Sequence, residues 1–178
     1  MYEVTLVQPY NTEWPCWFER MRAYLEPALA DVPYTIEHVG STAVPGMTAK
    51  PIIDIDVIVD RPVFPLVVDR LTTIGYIHQG DLGILDRESF MLTDPQLIQS
   101  LPYHHFYVCI TGAAALRDHL LYRDFMRTHP EWVEKLSKHK VELCKQFNDD
   151  RQSYIDGKAE MVREITALAR ACCMTKPS

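Results

Sequence analysis

Two aspartates alternate with branched apolar residues in the segment 51–59, PIIDIDVIV. A β-strand points successive side chains to opposite faces, so Asp54 and Asp56 would share one face about 7 Å apart. At that distance and an effective dielectric of about 20, two carboxylates repel each other by roughly 2–3 kcal/mol. A cation would relieve that repulsion, and Mg²⁺ commonly takes one or two carboxylates together with substrate phosphates. The pattern predicts a site for Mg²⁺ or Mn²⁺ at Asp54 and Asp56, with a structural Asp-x-Asp pair as the alternative.

A glycine and two hydroxyl residues, Gly40-Ser41-Thr42, precede this strand. Glycine permits a tight turn, and the backbone N–H groups and hydroxyls of such a turn can hold an anion. Lys50 stands next to Pro51 at the start of the acidic strand, where it could pair with an aspartate or contact a phosphate. An anion-binding turn followed by a metal-binding strand favours a nucleotide site.

The run 37–57, EHVGSTAVPGMTAKPIIDIDV, resembles the signature of the GrpB family, a branch of the nucleotidyltransferase superfamily. The similarity continues in HHFYV (104–108), HLLYRDFMRTHP (119–130) and SYIDGKAEMV (153–162), so it covers nearly the whole chain. The superfamily pairs a Gly-Ser turn with an acidic-x-acidic strand, as this chain does at 40–41 and 54–56. The resemblance implies the fold more directly than an activity, because one fold supports many functions.

The resemblance also implies roles for single residues. It favours Arg123 and Lys158 as part of a basic wall that binds a nucleotide, whereas exposed ion pairs are the alternative. Enzymes of the superfamily add a third carboxylate from a later strand, for which Glu88 and Asp94 are candidates by position. The strand over 103–110 offers His105 instead, which could act as a base.

The predicted elements indicate an α/β (α+β) fold: a mixed sheet with flanking helices and a C-terminal helical half. In the strand over 103–110, His105, Tyr107 and Cys109 share one face, and the other face is apolar. We expect a single domain over 1–178, with a sheet-bearing core at 1–112 and the helical half at 113–178. The expected strands are 2–7, 34–39, 51–59, 76–78, 87–93 and 103–110. The expected helices are 14–29, 61–74, 113–128, 131–147 and 153–172. We expect a loop at 95–102 and a frayed end at 174–178.

Composition narrows the class of protein. A net charge of −6 argues against broad binding to nucleic acid or to an anionic membrane, both of which need a basic surface. The five cysteines lack C-x-x-C spacing, which favours reduced thiols in a cytoplasmic protein. The sequence contains neither a signal-peptide pattern nor an apolar run of the ~20 residues that a membrane span needs. It does not indicate an oligomeric state.

Three functional hypotheses follow from these residues. The first is a metal-dependent enzyme that moves a nucleotidyl group from a nucleoside triphosphate to a small molecule or a protein side chain. The second is a non-catalytic module that binds a nucleotide or a phosphorylated metabolite. The third is a metal-dependent hydrolase that uses His38 and His105 with Asp54 and Asp56, although its histidines lack a short metal-ligand spacing.

Overall fold

A computed structural model describes residues 5–174 of the chain. Its strands are β1 (Thr35–Val39), β2 (Ile53–Val59), β3 (Tyr76–Gly80), β4 (Arg87–Leu92) and β5 (His104–Ile110). Its α-helices are α1 (Trp14–Leu29), α2 (Phe64–Thr73), α3 (Pro95–Ser100), α4 (Ala114–Thr128), α5 (Pro130–Gln146) and α6 (Arg151–Met174). The prediction of a mixed sheet with flanking helices and a helical C-terminal part is confirmed.

The chain forms two compact units. The sheet unit consists of Glu13–Val39 and Ile52–Arg117. The helical unit consists of Met1–Thr12, Gly40–Pro51 and Asp118–Ser178, of which residues 5–12, 40–51 and 118–174 are described. The short segments 5–12 and 40–51 thus group with the C-terminal helices, and the expected single domain over 1–178 stays a prediction.

In the sheet unit, the strands follow the order β1-β2-β5-β4-β3. Strands β2 and β5 run parallel, and the other neighbouring pairs are antiparallel. The apolar face of β2 is formed by Ile53, Ile55, Val57 and Val59, all of them buried. Helix α1 packs against β2 and α2, and contributes Trp14, Phe18, Met21, Leu25 and Leu29 to the core. One face of the sheet therefore belongs to the core, and the opposite face carries the polar residues.

The segment 95–102 departs from the sequence-based expectation, because Pro95–Ser100 is a helix and not a loop. Asp94 caps it: its Oδ1 accepts hydrogen bonds from the backbone N–H groups of Gln96 at 2.8 Å and Leu97 at 3.1 Å. Aspartate at the N-cap followed by proline is a known helix-start signal. A helix of six residues is too short to show a hydrophobic period, which is why the pattern alone missed it.

In the helical unit, α4, α5 and α6 share an apolar core with residues from the 40–51 segment. Its buried members are Val44, Met47, Tyr122, Phe125, Met126, Val133, Leu136, Ile165 and Ala169. Gly157 lets α6 approach α5 closely, because a Cβ atom there would lie 2.6 Å from Cδ2 of Leu143. Helix α6 starts at Arg151 and not at the expected Ser153, whose N–H donates to Oδ1 of Asp150 at 2.8 Å.

The predictions for the two ends of the chain can be compared with the structure only over residues 5–174. In the expected strand 2–7, residues 2–4 lie outside the described residues, and 5–7 have no strand conformation. Gln8 forms an isolated antiparallel bridge with Ala49. Of the end expected to be frayed, Met174 is the last residue of α6, and 175–178 lie outside the described residues. Among the helices described over 5–174, none combines the length and the apolar character that a membrane crossing requires.

Candidate functional site

Strand β2 places the two predicted metal ligands on one face of the sheet. Its alternation leaves Asp54 and Asp56 opposite the buried apolar residues described above. Asp56 is fully buried, whereas about 28% of the Asp54 side chain is exposed. The acidic strand was thus predicted with the correct faces, because alternation is a local property of the sequence.

The neighbouring strands add further polar groups to this face. On β5, His105 pairs with Asp54 and Tyr107 with Asp56. On β1, Glu37 pairs with Asp56. Neighbouring strands lie only about 4.8 Å apart, so these paired side chains on one face are neighbours. We call the set Glu37, Asp54, Asp56, His105 and Tyr107 the carboxylate face.

Asp54 and His105 are joined by a hydrogen bond of 2.8 Å between Oδ1 of Asp54 and Nδ1 of His105. When Nδ1–H donates to the carboxylate, Nε2 is the ring atom that can accept a proton. A carboxylate also has two oxygens, so this bond occupies one oxygen of Asp54 and leaves the other for a cation. The predicted ligand and the predicted base are therefore one hydrogen-bonded pair.

The third carboxylate is not where the sequence suggested. Glu88 lies on the opposite face of the sheet, where its Oε2 is 2.7 Å from Nε2 of His78. Asp94 caps α3. The carboxylate next to Asp56 is Glu37, which comes from an earlier strand. Within residues 5–174, no group of three histidine, cysteine, aspartate or glutamate side chains has the arrangement of a metal site.

His38, a ligand in the hydrolase hypothesis, belongs to the core side of the sheet. It pairs with Ile55 on β2, and its ring stacks on Phe18 with centroids 4.8 Å apart. A residue in this position cannot join Asp54 and Asp56 on the opposite face. The geometry therefore removes one of the two histidines on which the hydrolase hypothesis depends.

Two side chains next to the carboxylates are held in their neutral forms. Burial raises the pKa of the Tyr107 phenol, the Arg87 guanidinium 4.4 Å from its ring centroid lowers it, and Asp54 and Asp56 raise it further. Burial, followed by the charge of Asp56, also raises the pKa of the Cys109 thiol. Tyr107 is therefore a neutral hydrogen-bonding group, and Cys109 is not a thiolate nucleophile.

The helical unit contains the predicted anion-binding turn. Gly40 has φ 75° and ψ −155°, a conformation that other residues rarely adopt, and Ser41–Ala43 forms a single 3-10 turn. Thr42 is buried, and the carbonyl of Ala43 accepts a hydrogen bond from Nε of Arg127 at 2.9 Å. The glycine that sequence reasoning placed in a tight turn is in one, and α4 holds the turn in place.

A buried lysine that sequence reasoning missed contacts the same turn. Lys140 on α5 is only 1% exposed, and its Nζ donates to Oγ of Ser41 at 3.1 Å and to the carbonyl of Thr48 at 2.9 Å. Tyr122 also hydrogen-bonds to Ser41; burial raises the pKa of Tyr122 to about 12, and this bond limits the rise. The signal was present in the sequence, because position 140 continues the spacing of the buried residues Val133 and Leu136 on α5.

Two of the predicted nucleotide-binding lysines lie around one buried ring. The Nζ atoms of Lys50 and Lys158 are 5.4 Å and 5.3 Å from the ring centroid of Tyr154. Lys158 follows Tyr154 by about one turn of α6, so the two side chains share a face of that helix. Arg123, a third predicted residue, is only 12% exposed at its side chain, and its Nε donates to Oδ1 of Asp124 at 2.8 Å. In the helical unit, two ammonium groups thus contact the same aromatic ring, while Arg123 has an acidic neighbour.

Similar proteins of known sequence and structure extend these observations. UPF0157 protein YqkA of Bacillus subtilis is 31% identical over 162 residues, which are 90% of this chain but only 46% of YqkA. The chain therefore spans less than half the length of that relative. UPF0157 protein PA4798 of Pseudomonas aeruginosa is 34% identical over 171 residues, 96% of this chain and 69% of that protein.

Two solved structures share the fold. The crystal structure of conserved protein GrpB from Enterococcus faecalis superposes with a TM-score of 0.78 and 27% identity, covering 92% of this chain and 96% of that one. Cid1 poly(U) polymerase bound to MgATP superposes with a TM-score of 0.54 and 11% identity, covering 77% of this chain and 45% of the polymerase. This second likeness concerns the fold alone, which is nucleotidyltransferase-like. A family model described as GrpB protein matches residues 4–168, and the chain belongs to the GrpB family.

Proposed function

We propose that this GrpB-family chain is a metal-dependent nucleotidyltransferase that moves a nucleotidyl group from a nucleoside triphosphate to an acceptor hydroxyl. The observation that carries the proposal is the hydrogen-bonded pair Asp54–His105 next to the buried Asp56. Two carboxylates and an imidazole that can accept a proton lie together on a face whose opposite side is core. The acceptor hydroxyl belongs to a small molecule or to a protein side chain.

The donor set fits a magnesium or manganese ion. Asp54 and Asp56 supply carboxylate oxygens, the ligand type that these ions prefer, and the hydrogen bond to His105 orients Asp54. Since the described residues form no three-ligand group, the phosphates and water would complete the coordination, and binding without nucleotide would be weak. When bound, the ion would neutralise negative charge on the phosphate oxygens.

His105 supports the proton transfer that the reaction requires. The acceptor oxygen forms a bond to the α-phosphorus, the bond between the α- and β-phosphates breaks, and pyrophosphate leaves with that electron pair. The hydroxyl proton goes to Nε2 of His105, while the Nδ1–H group of His105 stays hydrogen-bonded to Asp54. The carboxylate stabilises the imidazolium that results. Neutral Tyr107, beside Asp56, can donate a hydrogen bond without adding charge.

Residues of the helical unit are proposed to bind the nucleotide. These are Gly40, Ser41, Thr42, Lys50, Arg123 and Lys158. The positive φ of Gly40 and the bonds from Lys140 and Arg127 support a preorganised turn. Lys50 and Lys158 each place an ammonium group close to the Tyr154 ring, and these positive charges would bind the negative charge of a triphosphate. The five cysteines without paired spacing support a cytoplasmic location as part of the same proposal.

The direct test is incubation with ATP labelled on the α-phosphate, Mg²⁺ and a mixture of metabolites or proteins as acceptors. We expect label transfer by the wild type and none by Asp56→Asn. The matched control is Asp60→Asn, because Asp60 is an exposed carboxylate that directly follows β2. Equal transfer by wild type and Asp56→Asn would contradict the proposal.

A second candidate function is a non-catalytic module that binds a nucleotide or a phosphorylated metabolite. Two observations favour it: His105 is hydrogen-bonded to Asp54, and residues 5–174 provide no group of three metal ligands. The same experiment separates the two functions. Nucleotide binding that depends on Mg²⁺, without label transfer to any acceptor in a broad set, would favour the module.

A further inference from the structure

The sheet unit contains a cavity of about 350 Å³ at the β3–β4–β5 side of the sheet, closed by α3 and the segment that follows it. This volume is in the range of sites for small molecules. Two of its lining residues, His105 and Tyr107, also belong to the carboxylate face. The cavity therefore opens beside the proposed reacting groups, within a single unit of the molecule.

The wall of the cavity is mainly apolar and partly open to solvent. Ile98 and Leu101 line it from α3 and the residue after it, and Met91 lines it from β4. Met91 is 45% exposed, Ile98 50% and Tyr103 58%. Single exposed apolar residues are ordinary, but three around one cavity mark a surface that a ligand can cover. Tyr103 also places its ring 6.1 Å from that of His105, in an edge-to-face arrangement.

The polar side chains of the cavity include Ser89 and Gln79. Oγ of Ser89, a buried residue, donates to Oε1 of Gln79 at 3.0 Å. The Gln79 amide nitrogen lies 3.7 Å from Sδ of Met91, a weak acceptor, so the amide keeps capacity to donate to a ligand oxygen. The residues that line the cavity, all within the described part of the chain, include no lysine, arginine, aspartate or glutamate. Such a lining favours an uncharged ligand.

The position of the cavity suggests which substrate it holds. Strands β1 and β5 flank β2 on opposite sides, and the cavity is on the β5 side. His105, the proposed base, lines this cavity. An acceptor hydroxyl bound in the cavity would therefore lie beside the group that takes its proton.

We infer that this cavity is the acceptor site, and that it takes an uncharged small molecule with an aromatic or branched aliphatic body and a hydroxyl group. The inference rests on the proposed function and narrows its acceptor class. The apolar body packs between Ile98 and Tyr103, and the hydroxyl lies toward His105. Gln79 supplies a hydrogen bond for a second polar atom of the ligand.

The test uses 2-naphthol as a neutral aromatic alcohol and 2-naphthalenesulfonate as its charged counterpart, titrated into the full chain and followed by NMR. Ile98→Trp fills the cavity from an exposed helix position. Leu66→Trp is the matched control, since Leu66 is also an exposed apolar residue on a helix but does not line the cavity. We expect saturable 2-naphthol binding that weakens at least about tenfold in Ile98→Trp and is unchanged in Leu66→Trp. The sulfonate should bind at least about tenfold more weakly than 2-naphthol.

A second readout separates the acceptor from the nucleotide. The Kd for MgATP, measured by calorimetry, should be the same in Ile98→Trp and the wild type. A loss of MgATP affinity in Ile98→Trp would overturn the inference, because the cavity would then hold the nucleotide. Absent or unselective binding of 2-naphthol by the wild type would overturn it as well. Failure of the proposed function is a different result: metal-dependent ATP binding that survives in Asp54→Asn/Asp56→Asn.

Discussion

Nζ of Lys140 donates a hydrogen bond to Oγ of Ser41 across 3.1 Å, and the two residues are 99 positions apart in the chain. The same ammonium donates to the carbonyl of Thr48. One buried group therefore fixes both ends of the loop that follows Gly40. Burying an ammonium is costly unless it is hydrogen-bonded, so a lysine at a core position of α5 indicates a positioning role.

We predict that Lys140→Met weakens MgATP binding about tenfold, or about 1.4 kcal/mol, while the protein still folds. Methionine has a similar length and fills the buried space, but it cannot hold Ser41 and Thr48. Because the desolvation cost of the ammonium disappears, the free energy of unfolding should change by less than about 2 kcal/mol. Calorimetry with MgATP and urea denaturation measure the two quantities.

The control for this variant is Lys138→Met on the same helix. Lys138 is exposed and pairs with Glu134 at 2.7 Å, so its loss should leave both the ATP affinity and the stability essentially unchanged. Equal ATP affinity in Lys140→Met and Lys138→Met would show that the buried lysine does not support nucleotide binding.

Local sequence patterns were sufficient for the faces of β2 and β5. Successive side chains of a strand point to opposite faces, so Asp54 and Asp56 could be assigned to one face of β2, and His105 and Tyr107 to one face of β5, without knowledge of the fold. Helix periodicity likewise located α4 and α5 to within one residue at each end.

The features of the site that the sequence did not predict depend on pairing between segments that are distant in the chain. Glu37 lies opposite Asp56 only because β1 pairs antiparallel with β2, and Glu88 faces away because of the register between β4 and β5. No local pattern contains a register between distant strands. The role of Lys140 was hidden for the same reason, since its partner Ser41 lies in another part of the sequence.

The paired aspartates predict a stability effect that is separate from activity. Asp54→Asn/Asp56→Asn removes two negative charges from adjacent positions of one face, one of them fully buried. In metal-free buffer we expect the free energy of unfolding to rise by about 1–2 kcal/mol, since the carboxylates no longer repel each other. With MgATP, the wild type should gain in Tm and the double variant should not. An equal gain in Tm for both proteins would remove the aspartates from the metal site.

The buried His104 should make the folded protein less stable as the pH falls below about 6.5. Burial lowers its pKa below the usual 6.5, a bond from the ring to the carbonyl of Pro102 raises it in part, and the charge of His105 lowers it further. In the folded protein the ring is neutral and hydrogen-bonded to the hydroxyl of Tyr76 at 2.7 Å. Below pH 6.5 the unfolded chain takes up a proton that the folded chain does not, so stability is lost as the pH falls.

The expected contribution is at most about 1.4 kcal/mol per pH unit, and urea denaturation between pH 7 and pH 5 measures it. His104→Gln should remove this part of the slope, even though its absolute stability is lower. Tyr76→Phe serves as the comparison, because it removes the partner hydroxyl but keeps the histidine and hence the slope. A slope identical in wild type and His104→Gln would assign the acid sensitivity to other groups.

The carboxylate of Glu37 should strengthen metal binding electrostatically. It lies directly across from Asp56, so its carboxylate adds negative potential where a cation would bind, although it forms no three-ligand group with the aspartates. We expect Glu37→Gln to raise the Mg²⁺ concentration at half-maximal ATP binding by roughly three- to tenfold, or about 0.7–1.4 kcal/mol. Glu88→Gln is the matched control, because Glu88 is also a strand glutamate but faces the other side of the sheet with His78. A magnesium titration at fixed ATP gives both values, and an equal shift in the two variants would mean that net charge, and not the position of Glu37, governs metal binding.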